Sequence, residues 1–183
     1  TLTSMVSSHG VSNSYTEWTN HTYNRATLTN SAIDGADANQ NDTRGGARVG
    51  NHCQISRKVV SVSTRARNSD VIGSSDEFTE PLMRRTYELR TDVEAITLAN
   101  QGSVADNGND TAGLIGGLPA WLTTNTDRGA TGADGGFANG VVTAATNGTK
   151  RALTDSAIRA IVQSIYENGF DPTVLMTSPS VRT

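Results

Sequence analysis

From residue 12 to residue 68 the chain is polar and glycine-containing, with too few large apolar side chains to build an interior of its own. The outgoing part, "SNSYTEWTNHTY" at 12–23, sets Tyr15 and Trp18 among Thr and Ser, a strand-like composition with weak alternation. "DGADANQNDTRGGARVG" at 34–50 reads as the tip of a long excursion. The return, "NHCQISRKVVSVSTRAR" at 51–67, alternates at Ile55, Val60, Val62 and Thr64. Its phase changes at Lys58–Val60, as a bulge or twist in a long strand would require. Two strand-like legs around a polar tip make a hairpin-like arm, and such an arm must lay its backbone and side chains on something else.

Charge sharpens that picture. The net charge is only -3, yet no acid occurs between Asp42 and Asp70, where Arg44, Arg48, Arg57, Lys58, Arg65 and Arg67 lie. The rest of the chain therefore carries nine net negative charges. A basic segment on an acidic body reads either as a solvated face or as a surface that pairs with the acidic body of an identical copy. Apolar content of 35% is low for a chain of 183 residues, and the shortfall is filled by Thr, Ser, Asn and Gly rather than by charge. That composition predicts a weak core with much extended chain, not charge-driven disorder.

Two helices stand out. Over 76–101, Leu82, Leu89, Val93 and Ile96 fall on one stripe, and Glu80–Arg84, Arg84–Glu88 and Arg90–Glu94 are opposite charges four apart. Pro81 fits the first helical position and Gly102 the stop. At ~1.5 Å per residue this helix is more than ~30 Å long. Over 154–168, Thr154 is the N-cap, Leu153 can staple onto Ile158, Ile158, Ile161, Val162 and Ile165 form a buried stripe, and Gly169 ends it. "DPTVLMT" at 171–177 reads as a short buried strand, and "SPSV" as a new helix start, with Ser178 as cap and Pro179 in the first turn. Residues 103–150 read as a Gly-rich, irregular connection, in which "GGLPAWL" is an apolar turn docking Trp121 and Leu122.

No catalytic constellation survives inspection. His52 and Cys53, the single cysteine, are adjacent in a strand and point to opposite faces, so Cys53 reads as a small half-buried strand residue rather than an activated thiol. Asp37, Asn39 and Asn41 begin like a calcium loop, but Asp42 stands where Gly is needed and Arg48 where a bidentate acid is needed. The sequence implies no catalytic residue, metal site or cofactor. The basic stretch lacks aromatics for base stacking, which leaves phosphate contact without sequence reading. No run of ~20 apolar residues suggests a membrane span. The abundance of Thr, Asn and Gly keeps a virion-surface or secreted receptor- or glycan-binding module open as an alternative.

The order of these pieces resembles the major capsid protein of tailed bacteriophages, whose fold is shared with encapsulins and herpesviruses, and most closely the SU-ten-type major head proteins. The resemblance is carried by "NSYTEWTNHT" at 13–22, "NHCQISRKVVSVSTRAR" at 51–67, "RRTYELRTDVEAITLANQ" at 84–101, "AGLIGGLPAWLTTN" at 112–125 and "LTDSAIRAIVQSIYENGFDPTVLMTSPS" at 153–180. It implies an α+β capsid fold, with 1–11 an N-terminal segment and 12–68 an extended two-stranded arm, the E-loop. Residues 69–102 would hold the long spine helix of the peripheral domain. The Gly-rich 103–150 would connect it to the start of an α/β axial domain at 151–183, cut off partway through the fold. The implied function is a structural protein, not an enzyme, assembling in hexamers and pentamers into an icosahedral head around double-stranded DNA. Scaffold or decoration proteins are implied partners and a membrane is not. The implied location is the virion, after synthesis in the host cytoplasm. Tyr15, Trp18, Arg44, Arg48, Arg57, Lys58, Arg65 and Arg67 of the arm would contact neighbouring subunits.

Overall fold

In the computed structural model, which describes residues 2–22, 26–37, 45–69, 73 and 77–178, the chain is a mixture of helices and two small antiparallel sheets. Arg44, the loop positions Asn39, Asn41 and Asp42, and Pro179 lie outside the described residues. The element order is a 3-10 turn at Leu2–Ser4, β1 (Tyr15–Asn20), β2 (Ala47–His52), α1 (Thr64–Arg67), α2 (Thr79–Leu98), α3 (Leu118–Trp121), β3 (Gly136–Ala138), β4 (Val141–Thr143) and α4 (Asp155–Glu167).

β1 and β2 form the arm's ladder, from Tyr15 opposite His52 to Asn20 opposite Ala47. Aromatic and β-branched residues on β1 favour the pleat, and the Tyr15 and His52 rings meet at 4.6 Å. The expected long return strand is shorter than the alternation suggested. β2 stops at His52, residues 53–63 run without a ladder, and Arg65 and Arg67 sit on the one-turn helix α1, which Ser63 caps by accepting the Ala66 N–H at 3.2 Å. A Ser cap followed by Thr-Arg-Ala-Arg outweighs a weak alternation of four residues.

α2 starts three residues later than expected, and Pro81 is its third residue rather than its first. That position costs no hydrogen bond, because the first turn's N–H groups have no intrahelical partner anyway. The helix ends at Leu98, before Gly102, where Ala99 turns extended with ψ 142°. The charge pairs are only partly those anticipated: Arg84 holds Glu80, Glu88 is taken by Arg85 at 2.6 Å, and Glu94 accepts the Leu2 N–H at 2.7 Å and the Thr3 hydroxyl at 3.2 Å instead of pairing with Arg90.

α4 follows the sequence closely at its ends. Thr154 accepts the Ala157 N–H, and Gly169, at φ 88°, closes a Schellman turn in which Gly169 N–H reaches the Tyr166 carbonyl and Phe170 N–H the Ile165 carbonyl. Its apolar stripe is not buried, however. Ile158, Ile161 and Ile165 are half-buried, while Val162 is exposed and Leu153 lies more than half open. Residues 171–177 form no strand; Val174, Leu175 and Met176 stand exposed, because no neighbouring strand offers them a ladder.

The core sits where the sequence looked least regular. Ala120, Val142 and Ala145 are the buried apolar residues, with Ser103 beside them. Asn139 at φ 52° and Gly140 at φ 83° make the two-residue turn that joins β3 to β4. In this hairpin Val142 is a position whose N–H and C=O face away from β3, and Ser103 takes both: its Oγ accepts the Val142 N–H at 2.7 Å and its own N–H donates to the Val142 carbonyl at 2.8 Å. Gly117 lets this unit close on α2, since a Cβ there would overlap the Ala99 carbonyl.

Gly117→Ala is expected to lower stability by about 1–3 kcal/mol or more in chemical denaturation followed by tryptophan emission, because backbone rather than a flexible side chain must give way. Gly10→Ala, with open space around it, serves as the control and should change little.

Candidate assembly surface at the arm and its root

The arm is fastened to the body by side-chain amides that imitate strand pairing. Asn51 on β2 donates from Nδ2 to the Gly116 carbonyl at 3.1 Å and accepts the Gly116 N–H at 2.8 Å. Gln54 accepts the Ile115 N–H at 3.3 Å, while Gln101 donates to the Ile115 carbonyl at 2.8 Å. Asn100, just after α2, closes the same two-point pair on Ala145 at 2.6 and 2.9 Å. Beside these amides the aromatic rings stack: Trp18 of β1 lies 5.2 Å from Trp121 of α3, which lies 6.0 Å from Phe137 of β3 at an interplanar angle of 4°.

Two further ties hold the outer loops. Arg128 donates to Asp134 at 2.9 Å and to the carbonyls of Pro119 and Leu122, also at 2.9 Å, so its guanidinium gathers the end of α3 and the loop before β3. Asn125, at φ 54°, accepts from Ser164 at 2.7 Å and Asn168 at 2.9 Å, and thereby moors α4. Arg128 and then Thr126 hold the Asp134 carboxyl below its ordinary value; the Arg151 hydrogen bond does the same for Asp127.

The arm residues singled out from the sequence divide into two groups. Tyr15 packs on His52, Trp18 on Trp121, Arg48 pairs with Glu17 across the ladder, and Lys58 reaches Asp92 of α2 at 2.6 Å. Arg57, Arg65 and Arg67 are exposed, Arg67 with its guanidinium 5.6 Å over the Phe78 ring. Cys53 is half-buried at the end of β2, with its Sγ 3.4 Å from the Asn13 carbonyl and 3.9 Å from the Thr16 hydroxyl, while the His52 ring faces Tyr15. The residues that sequence reasoning missed are the amides Asn51, Gln54, Asn100 and Gln101. The visible signal was weak: polar amides flanking "GGLPAW" and following a helix, in a chain where Asn is common. Among the described residues no three His, Cys, Asp or Glu side chains cluster as metal ligands, and no helix is long and apolar enough to cross a membrane.

What this arrangement offers is surface. A folded monomer of 19.3 kDa would expose about 8,500 Å². This chain exposes 15083 Å². Within the described part of 24–60, Gly50 is the buried residue, whereas Leu28, Ile33, Ile55 and Val59 are open to solvent. No residue of α2 or α4 is buried.

Asn51→Ala should loosen the root selectively. It strips partners from both polar groups of Gly116, at ~1–3 kcal/mol for a desolvated unpaired group. The expected result is red-shifted tryptophan emission with helical circular dichroism retained. The carboxylate ties set a separate acid limit. Folded pKa values below the unfolded ones mean their contribution is complete above the ordinary Asp range, near ~3.9, and is lost as pH falls through the folded values. Asp134→Asn should flatten the fall in stability seen on acidification below about pH 4.

A family model described as SU10 major capsid protein matches residues 1–183. No curated protein matches the chain. The match spans the arm, its amide-pinned root and the exposed helical faces alike, and with it the chain belongs to the SU10 major capsid protein family.

Proposed function

We propose that this structural capsid protein builds an icosahedral phage head by reaching across its neighbours with residues 12–68. In this reading the segment is the E-loop of a phage capsid fold, α2 is the spine helix of the peripheral domain within 69–102, and α4 opens the axial domain at 151–183. The Gly-rich 103–150 is then more than a connection, since it carries the buried residues on which the arm is rooted. Copies would meet in hexamers and pentamers around double-stranded DNA held without sequence reading. Scaffold or decoration proteins would act during or after assembly, and synthesis would take place in the host cytoplasm.

The observation that carries this reading is the chain's surplus of exposed surface, together with an arm whose backbone clamps to the body lie at its root. Burying one exposed Leu, Ile or Phe contributes about 1.5–3 kcal/mol, so the open side chains of the arm, α2 and α4 are a large reserve for association. Arg57, Arg65 and Arg67 add charge suited to the acidic remainder of another copy. No observation favours the glycan- or receptor-binding module.

The test is assembly of the full-length protein, followed by light scattering and electron microscopy. Closed particles, rings or capsomers are expected, and a concentrated sample that stays monomeric with a protease-sensitive arm contradicts the proposal. Arg57→Glu with Arg65→Glu should impair association well before it lowers monomer stability. Equal loss of both would place these arginines in an internal network instead.

A further inference from the structure

We propose that the groove along α2 receives residues 26–37 of a second copy, with Leu28 and Ile33 as apolar anchors and Asp34 beside Arg90. This rests on the reading of 12–68 as an arm that crosses a neighbour, and adds the receiving site and the residues that fill it. The groove, about 920 Å³, lies between the Leu2–Ser4 turn and the face of α2 that carries Tyr87, Val93 and Leu98. Tyr87 is 75% exposed and Val93 41%, so this wall is apolar and uncovered.

Its electrostatics follow from an exchange of partners. Arg84 and Arg85 have carboxylates on their own helix, and the same spacing offers Glu94 to Arg90. Glu94 is instead occupied by the Leu2 amide and the Thr3 hydroxyl. Arg90 is left at the groove without a carboxylate among the described residues, so the site combines apolar wall and positive charge.

Residues 26–37 have the matching chemistry. The segment contains Asp34 and Asp37 and no basic residue. Leu28 is fully exposed and Ile33 is 82% exposed. A turn closed by the Ala36 N–H on the Ile33 carbonyl at 3.1 Å, with Gly35 at φ 78°, presents Ile33 and Asp34 side by side. Dimensions agree as well. From Tyr87 to Leu98 the helix rises about 16 Å, and the five steps from Leu28 to Ile33 reach at most about 17 Å. A standard interface takes about 800 Å² from each partner, well within the surplus this chain exposes.

Two measurements on the full-length protein decide it. Arg90→Glu should raise the concentration needed for half-assembly roughly 3-fold or more, and adding Asp34→Arg should bring it back towards the original value, with circular dichroism confirming that both variants fold. In a Cys53→Ser background, Ile33→Cys with Val93→Cys should give interchain disulfides, seen as dimers and higher multiples on a non-reducing gel after mild oxidation. Assembled particles that yield only uncrosslinked chains, with no rescue by Asp34→Arg, overturn the docking site while leaving the shell reading intact. A fast-migrating intrachain loop overturns it by placing the segment on its own helix. Failure of the unmodified protein to assemble at all removes the arm reading and this site together.

Discussion

Carboxamide side chains pairing with the backbone N–H and C=O of single residues hold this molecule together. Asn51 on Gly116, Asn100 on Ala145, and Gln54 with Gln101 on Ile115 each satisfy both the N–H and the C=O of a residue that has no full strand beside it. Ser103 does the same for Val142 with one hydroxyl and its own amide. A hydrogen bond of this kind adds only about 0.5–1.5 kcal/mol net, but leaving a desolvated backbone group unpaired costs ~1–3 kcal/mol. With only Ala120, Val142 and Ala145 as buried apolar residues among those described, packing alone cannot enforce one arrangement. The amides therefore set how the strands, α2 and the central loops meet.

From that constraint follows the contrast between the clamped junction and the chain beyond it. The Asn51 and Gln54–Gln101 clamps and the Trp18–Trp121–Phe137 contacts converge on "GLIGGLPAW", where Gly116 and Gly117 allow backbone to approach closely. A Cβ on Gly116 would come 2.7 Å from the Val142 side chain, so the same glycine serves both the core and the root of the arm. Farther out the described residues have no such anchors. Leu28 and Ile33 are open to solvent, and no residue of α2 or α4 is buried. A small interior and a wide exterior suit a capsid subunit, which assembles with other copies.

Legibility of the sequence followed the range of the forces involved. The caps of α4 at Thr154 and Gly169 were readable because capping is local. So were the body of α2 and the polarity of the arm. The end of β2 at His52 was not, since the alternation of Ile55, Val60 and Val62 has no paired strand behind it in the folded chain. The β3–β4 hairpin went unread even though "FANGVV" contains Asn-Gly between apolar residues, because the surrounding glycines suggested irregular loop. The amide clamps were hidden for a different reason: their partners are 14 to 65 residues away, and Asn is common everywhere in this chain. Of the arm residues picked out in advance, Tyr15, Trp18, Arg48 and Lys58 turned out to have partners within their own chain.

Those internal partners are compatible with a role between copies, and the reason lies in solvation. The Lys58 and Asp92 side chains keep 31% and 45% of their surface, and Arg48 and Glu17 keep 75% and 38%. Pairs this open contribute about 0–1 kcal/mol, so exchanging the internal acid for one on a neighbour changes the energy little. The amide clamps at the root behave oppositely, because breaking one strands backbone polar groups in a half-buried junction. The arm is thus rigid where its polar groups are desolvated and adjustable where its charges are wet. For a subunit proposed to occupy both hexamers and pentamers, that gradient lets one root serve slightly different neighbours, with the adjustment taken up by solvated charges rather than by the core.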